Sequence, residues 1–523
     1  MRSSSHGSGK VKKINIFACA KIKELEVEIS AAWLDRDLEK CIQLLHQVSK
    51  LSPQGSDALF LIGRAHGMRF EYDEAIDSFD KAVEAAPKRD RSLALLKAGN
   101  MARNFFDPVI AESYFEQSVE LAEASPAKLA LAEHSFRIRK KDVAMELVDE
   151  LLASHPEDPG ALLLWCRLHE NQFEECMDKL NMIVARHSGD LQAKAAYQVA
   201  KMHDAAGDYS GAMDVLAIAK AALMPARGMV VQSRSAIRAR HLELAQGLTS
   251  ARYKEWMEDS EQVDPNHRLA LLCGHPRSGT TLLEQVLDSH PDVVSAEESE
   301  VFYTFAFAPL IRNQFPNQNL LTGLDALMST DLISARKSYF EAMDLCLGQP
   351  VGSRLLIDKN PSLTSLIPGF FRIFSEAKFI TLIRDPRDVI LSCYMQSFVP
   401  VSGVSGNYLT LEDAASEYLG VMGVWNEIAC RFGENACEVR YEDLVEDLAG
   451  NAKRVLDFLG LDWSDEVMGY DGHAKEKVIR SPTAAAVTEK VHSRAKNRWR
   501  NYEKHLEPVF DQLEPILKKL GYA

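Results

Sequence analysis

Gly274-His275-Pro276-Arg277-Ser278-Gly279-Thr280-Thr281 stands between the apolar run Leu269 to Cys273 and the segment TLLEQVLD, Thr281 to Asp288. The first run suits a buried parallel strand, and the segment after the loop begins a helix with an apolar stripe. Between them Gly274 and Gly279 let the backbone turn tightly, so that successive amide N–H groups converge while the helix start adds donors of its own. The stretch therefore predicts a phosphate- or sulfate-gripping loop in a nucleotide-using α/β domain. It is not the common ATPase or GTPase loop, because the lysine before Ser/Thr is absent and Arg277 comes early.

The same pattern recurs downstream. Lys378 to Ile383 reads as a buried strand, broken by Arg384-Asp385-Pro386-Arg387-Asp388 before Val389 to Tyr394 resume as helix. Arg384 and Ser392 could reach one oxyanion, the first as a forked cationic donor and the second as a neutral one, with Asp385 and Arg387 forming a surface pair. Leu355 to Ile357 forms another strand, ending in Asp358-Lys359-Asn360-Pro361, where the lysine can reach inward. An acidic cluster, Ser295 to Glu300, follows the first loop's helix, and crowding there would raise a carboxylate's pKa. Glu438 to Arg440 makes a further strand before a helix start at Tyr441. Near the end, Lys490 to Tyr502 is basic and aromatic, with Trp499 expected to pack and His492 to be an ordinary loop histidine.

The N-terminal half is helix-compatible from 28 to 225, with turns at Pro53, Pro87, Pro126, Pro156, Ser188 to Asp190 and Pro225. Small residues recur in the second helix of each unit, at Cys41, Ala75, Ala111, Ala144, Cys176 and Ala212, a period of about 34 residues. The unit Ser56 to Pro87 resembles the tetratricopeptide family closely, as does Gly207 to Pro225. Five to six stacked helix pairs imply a solenoid that could hold a peptide, a second copy of the chain, or nothing. Residues 226–265 read as capping or bridging helices, residues 1–27 as an arm with a leading helix, and Asp264-Pro265-Asn266 as the boundary with residues 266–523.

PRSGTT, after a strand and before LLEQVLDSHPDV, resembles the 5'-phosphosulfate loop of the sulfotransferase superfamily. It is nearest to tyrosylprotein sulfotransferases and to bacterial proteins that fuse tetratricopeptide repeats to such a domain. The resemblance covers 266–510 and implies a multidomain α+α/β chain, a helical solenoid followed by a P-loop-like three-layer α/β sulfotransferase domain with a parallel sheet. It implies 3'-phosphoadenosine 5'-phosphosulfate as co-substrate, no metal, and transfer of its sulfuryl group to a hydroxyl. By the same resemblance Arg277, Ser278, Gly279, Thr280 and Thr281 hold the 5'-phosphate, and Arg384 with Ser392 holds the 3'-phosphate. Arg494, Lys496 and Arg498 are further partners for that phosphate. Glu298 matches the family's base, with Glu297 as the alternative, and Lys359 with Arg277 stabilises the shifting negative charge. Two departures leave the acceptor open between peptide, carbohydrate and small molecule: Glu300 replaces an arginine, and Ala486-Val487-Thr488 replaces a Gln-Val-Arg stretch.

Composition sets the frame. At 523 residues the chain exceeds one core, and 46% apolar with 26% charged residues is ordinary for a globular protein. A formal charge of -15 argues against nucleic acid or anionic membrane as a partner except at a local basic pocket. Nine scattered cysteines suggest a reducing compartment, the cytoplasm, and their spacings match no metal site. No run is long enough to span a membrane. Two rival functions remain: a phosphotransferase with a nonstandard loop, which would need a metal-binding carboxylate, and a non-enzymatic nucleotide-binding scaffold, which predicts that Glu298 and Lys359 are dispensable.

Overall fold

A computed structural model describes residues 7–52, 55–105, 108–122, 125–260, 263, 267–314, 319–398, 403–476 and 487–523. Pro53, Asp264 to Asn266, Ser481 to Thr483, Ala486 and the first six residues lie outside these. The chain divides into two compact units, Met1–His169 and Glu170–Ala523. The second therefore contains helices that the repeat period assigns to the N-terminal half.

In the first unit helices pair through short turns, for example Asp57–Met68 with Tyr72–Ala85 and Arg91–Ala102 with Pro108–Leu121. The periodic small residues Cys41, Ala75, Ala111 and Ala144 are completely buried on the second helices. The partner helix supplies glycine where an aromatic ring crosses. A Cβ built on Gly63 would lie 2.5 Å from the Phe79 ring, and one on Gly99 would lie 2.6 Å from Phe115. Each ring thus fills the space that the missing Cβ leaves, which is why the small residues keep the repeat's spacing.

The second unit begins with helix Phe173–Arg186 and the hairpin Gly189–Ala205 and Tyr209–Leu223. Cys176 and Ala212 continue the buried small positions there, and Asp208 caps the last helix by accepting from the Gly211 amide at 2.9 Å. Helices Arg227–Gly247 and Ser250–Ser260 lead to the sheet. Its strands are β1 (Arg268–Gly274), β2 (Val293–Glu297), β3 (Leu355–Lys359), β4 (Lys378–Ile383) and β5 (Ala436–Arg440), all parallel, in the order β2-β3-β1-β4-β5.

Alternate residues face opposite layers, as strand geometry requires. Ala270, Leu272, Ile357, Ile380, Leu382 and Val439 pack on Leu283, Val286, Leu287, Val455 and Leu456. On the other face the Phe379 ring meets Phe432 at 4.6 Å and Phe370 at 6.1 Å. The connection from β1 leads toward one edge and that from β4 toward the other. Their C-terminal ends therefore flank the switch point at which open parallel sheets bind ligands.

The helix expected from Val389 starts earlier, at Pro386, because Asp385 caps it by accepting from the Arg387 amide at 2.9 Å. Among the described residues no helix is long and apolar enough to cross a membrane. Ala75→Leu should overfill the first unit and cost about 1–3 kcal/mol, seen as a lowered urea midpoint. Leu93→Ala, at a side chain 67% exposed, should leave that midpoint almost unchanged.

Candidate active site

The C-terminal ends of β2 and β3 converge on one buried ammonium. Lys359 is fully buried, and its Nζ lies 2.9 Å from Glu298 Oε1, 3.3 Å from Glu284 Oε2 and 3.6 Å from Glu297 Oε1. The pairing of Glu297 with Lys359 follows from the β2–β3 register, and the ladder runs one residue further, with the Glu298 amide donating to the Lys359 carbonyl at 2.7 Å. Glu298 then turns with a φ of 46°, the left-handed region that costs a side-chain-bearing residue energy. That turn leaves its carboxylate 47% exposed while still bonded to the buried lysine.

Burial alone would lower the Lys359 ammonium, but Glu284, Glu298 and Glu297 more than offset it and the net displacement is upward. The carboxyl that burial pushes up is Glu284, at the back of the cluster, with Lys359 opposing the shift. Its Oε1 accepts from Ser295 Oγ at 3.0 Å; its Oε2 has an ion pair's distance to Lys359 without a hydrogen bond's alignment.

The loop after β1 shows why its glycines are where they are. Gly274 has a φ of 129°, and a Cβ there would lie 2.5 Å from the Leu382 carbonyl oxygen; Gly279 has a φ of 99°, with the Tyr441 ring 2.4 Å from the corresponding point. Arg277 is also left-handed, at 74°. Ser278, Thr280 and Thr281 are buried at the start of helix Thr280–Asp288, the end at which a helix dipole favours an anion.

The two basic loops meet. Arg277 Nε donates to Ser392 Oγ at 3.0 Å, while Arg384 donates to the Arg277 carbonyl at 2.9 Å and lies over the Tyr441 ring at 4.6 Å. A cavity of about 370 Å³ opens here, lined by Arg277, Gly279, Thr280, Thr281, Glu298, Arg384, Ser392 and Arg498 among others. The loop after β1, Arg384 with Ser392, and Glu298 therefore share one space. Lys359 is not at its wall but directly behind Glu298.

Arg498 reaches the cavity; the other two basic candidates are held elsewhere. Arg494 pairs with Glu489 at 3.0 Å and is 72% exposed, and Lys496 pairs with Glu446. Arg387 and Asp385 form a bidentate pair, but a largely buried one, with the Arg387 guanidinium 3.8 Å above the Trp499 ring. This corrects the expected surface pair: the capping role of Asp385 draws both residues inward, and Trp499 packs as expected. Sequence reading missed Glu284, Asp388, Tyr408 and Tyr441, and read as an ordinary loop histidine His492, which lines the cavity. A carboxylate within the apolar stripe of TLLEQVLD was a usable signal for Glu284. His492 and Tyr408 line the cavity from segments distant in sequence, for which no local signal exists. Among the described residues no group of three or more His, Cys, Asp or Glu is placed to hold a metal ion.

Residues 270–465 match the Sulfotransferase family. Residues 57–89 match the Tetratricopeptide repeat. The chain is similar to a protein of Aquifex aeolicus (strain VF5), 28% identical over 267 residues that make up 49% of this chain and 33% of that one. It is also similar to the protein-tyrosine sulfotransferase 2 of Gallus gallus, 24% identical over 54% of this chain and 80% of that one. The solved sulfotransferase domain of the Synechococcus PCC 7002 olefin synthase aligns at 22% identity over 45% of this chain and 90% of that domain, with a TM-score of 0.33.

Lys359→Ala would leave its carboxylates facing one another without a cation. It should cost about 3–5 kcal/mol in urea unfolding, and adding Glu284→Gln should recover part of that loss.

Proposed function

We propose that this protein moves a sulfuryl group from 3'-phosphoadenosine 5'-phosphosulfate to a hydroxyl, with Glu298 as base. The observation that carries the reading is that Glu298, bonded to the buried Lys359 behind it, opens onto the same cavity as Arg277, Arg384 and Ser392, within the sulfotransferase-matching region. The residues suit a doubly phosphorylated donor. Arg384 Nε is buried without a hydrogen-bond partner beside the cavity, and an anion would satisfy it. In this reading Arg277, Ser278, Gly279, Thr280 and Thr281 hold the 5'-phosphate, and Arg384, Ser392 and Arg498 the 3'-phosphate.

Glu298 accepts the acceptor's proton as the new O–S bond forms and the bond from sulfur to the bridging oxygen breaks. Adenosine 3',5'-bisphosphate leaves. Protonation of Glu298 removes one of the charges that holds Lys359, so the ammonium's field falls more fully on the sulfuryl and bridging oxygens as negative charge moves there. Arg277 supports the same oxygens from the loop.

The relatives named protein-tyrosine sulfotransferases favour a protein hydroxyl as acceptor, and the repeats favour a protein partner, either a peptide or a second copy of the chain. The described cysteines are thiols, which favours the cytoplasm. The chain then joins an arm, 1–27, a repeat array, 28–225, and bridging helices, 226–265, to the transferase module, 266–523.

Glu298→Gln should keep the hydrogen bond from Lys359 and the affinity for adenosine 3',5'-bisphosphate while lowering sulfuryl transfer about 10²- to 10⁴-fold. Mass spectrometry of products made from the donor and a cell extract reads the transfer. Undiminished transfer by this variant removes the base assignment.

A further inference from the structure

Arg498 reaches the cavity from a segment that two carboxylates pin. Asp388, on helix Pro386–Met395, accepts from the backbone amides of Asn497 at 2.9 Å and Trp499 at 2.8 Å, so it fixes the chain on either side of Arg498. Asn497 takes a left-handed φ of 56° to allow this. The side chain is fixed by a different residue, from far away in sequence. Asp204, in the last turn of helix Gly189–Ala205, pairs through Oδ2 with Arg498 Nη2 at 2.5 Å.

Its other oxygen is also engaged. Tyr502 donates its hydroxyl to Asp204 Oδ1 at 2.5 Å, and the Tyr502 ring packs edge-on against Tyr209 at 5.1 Å. Burial and the neighbouring carboxylate push the Tyr502 phenol upward, so it stays a donor. An exposed ion pair between flexible side chains contributes little. This one differs, because Asp204 is only 20% exposed, is held at both oxygens, and sits on a helix whose hairpin partner is capped.

Asp204 engages one edge of the guanidinium, and an arginine carries five N–H donors in a fixed fork. Nη2 also donates to the Met395 sulfur at 3.6 Å and the guanidinium bonds the Tyr502 side chain, so these neighbours share with Asp204 in orienting the fork. We propose that Asp204 is a positioning residue: the helical hairpin 189–223 sets the rotamer of Arg498 so that its fork meets the donor's phosphate in the cavity. This rests on the donor reading above. It gives the repeat-like helices that precede the sheet a part in donor binding, separate from any role in holding an acceptor.

The test uses the full chain and titrates adenosine 3',5'-bisphosphate by calorimetry, alongside steady-state kinetics with the phosphosulfate donor. Asp204→Ala should weaken bisphosphate binding and raise the donor KM about tenfold, with kcat and the acceptor KM little changed. Asp204→Asn, which retains an oxygen acceptor, should recover most of the loss. Arg498→Ala should weaken binding at least as much, and Asp204→Ala should add nothing to it, because both act through the same guanidinium. If Asp204→Ala does not fold, Tyr502→Phe removes the anchor at Oδ1 together with the Tyr502 bond to Arg498 and should still raise the donor KM about threefold. Equal or tighter binding by Asp204→Ala, or full additivity with Arg498→Ala, overturns the assignment of Asp204 and leaves the donor reading standing. Absence of bisphosphate binding by the wild-type protein overturns the donor reading, and this inference with it.

Discussion

A single buried ammonium at the end of β3 organises the sheet-bearing half of the molecule. An unpaired lysine there would bear a large desolvation cost, so carboxylates must come to it from whatever elements end nearby. Glu297 arrives by strand register, Glu298 by one more rung of the ladder and a left-handed turn, and Glu284 from the helix that follows the β1 loop. The sheet edge, the first loop's helix and the candidate base are thereby tied to one point. Of the three carboxylates, Glu298 is the most exposed, and it is the one that lines the cavity.

The other wall is built on the opposite charge. Arg277, Arg384 and Arg498 gather in a chain whose formal charge is -15, so the attraction for an anion is local and owes nothing to the overall balance. Tyr441 holds this wall together. Its ring lies where a side chain on Gly279 would be and also supports the Arg384 guanidinium, so the helix start just after β5 contributes to the site through an aromatic face.

The readable parts of this protein were those with a short-range cause. Strand ends followed by polar loops put Arg277, Lys359 and Arg384 at one end of the sheet, since parallel strands bring their C-terminal ends together whatever lies between them. The buried small residues at a period of about 34 were equally legible, because each pair must meet the same steric demand. Arg494 and Lys496 show the limit: in sequence they look like Arg498, and only tertiary neighbours, Glu489 and Glu446 for them and Asp204 for Arg498, separate the three. Glu284 left a visible mark in the sequence whose meaning depends on its partner. A charged residue in an apolar helix stripe makes sense only once Lys359 is known to lie against it.

The way the hairpin 189–223 packs within the sheet's unit also bears on how that unit can be isolated. Lys220, buried on helix Tyr209–Leu223, donates to the Tyr408 carbonyl at 2.7 Å and lies 4.3 Å from the Tyr394 ring centre. Arg234 and Arg238, on the next helix, both bind the buried Glu417 at 2.5 Å. A fragment cut at the start of the sheet would strip both arginines from Glu417, leaving it Asn407, and would take the Lys220 bond from Tyr408, a cavity residue. The compact unit that holds the sheet begins at Glu170, well upstream of the loop after β1, and part of what looks like a repeat array is scaffold for that sheet.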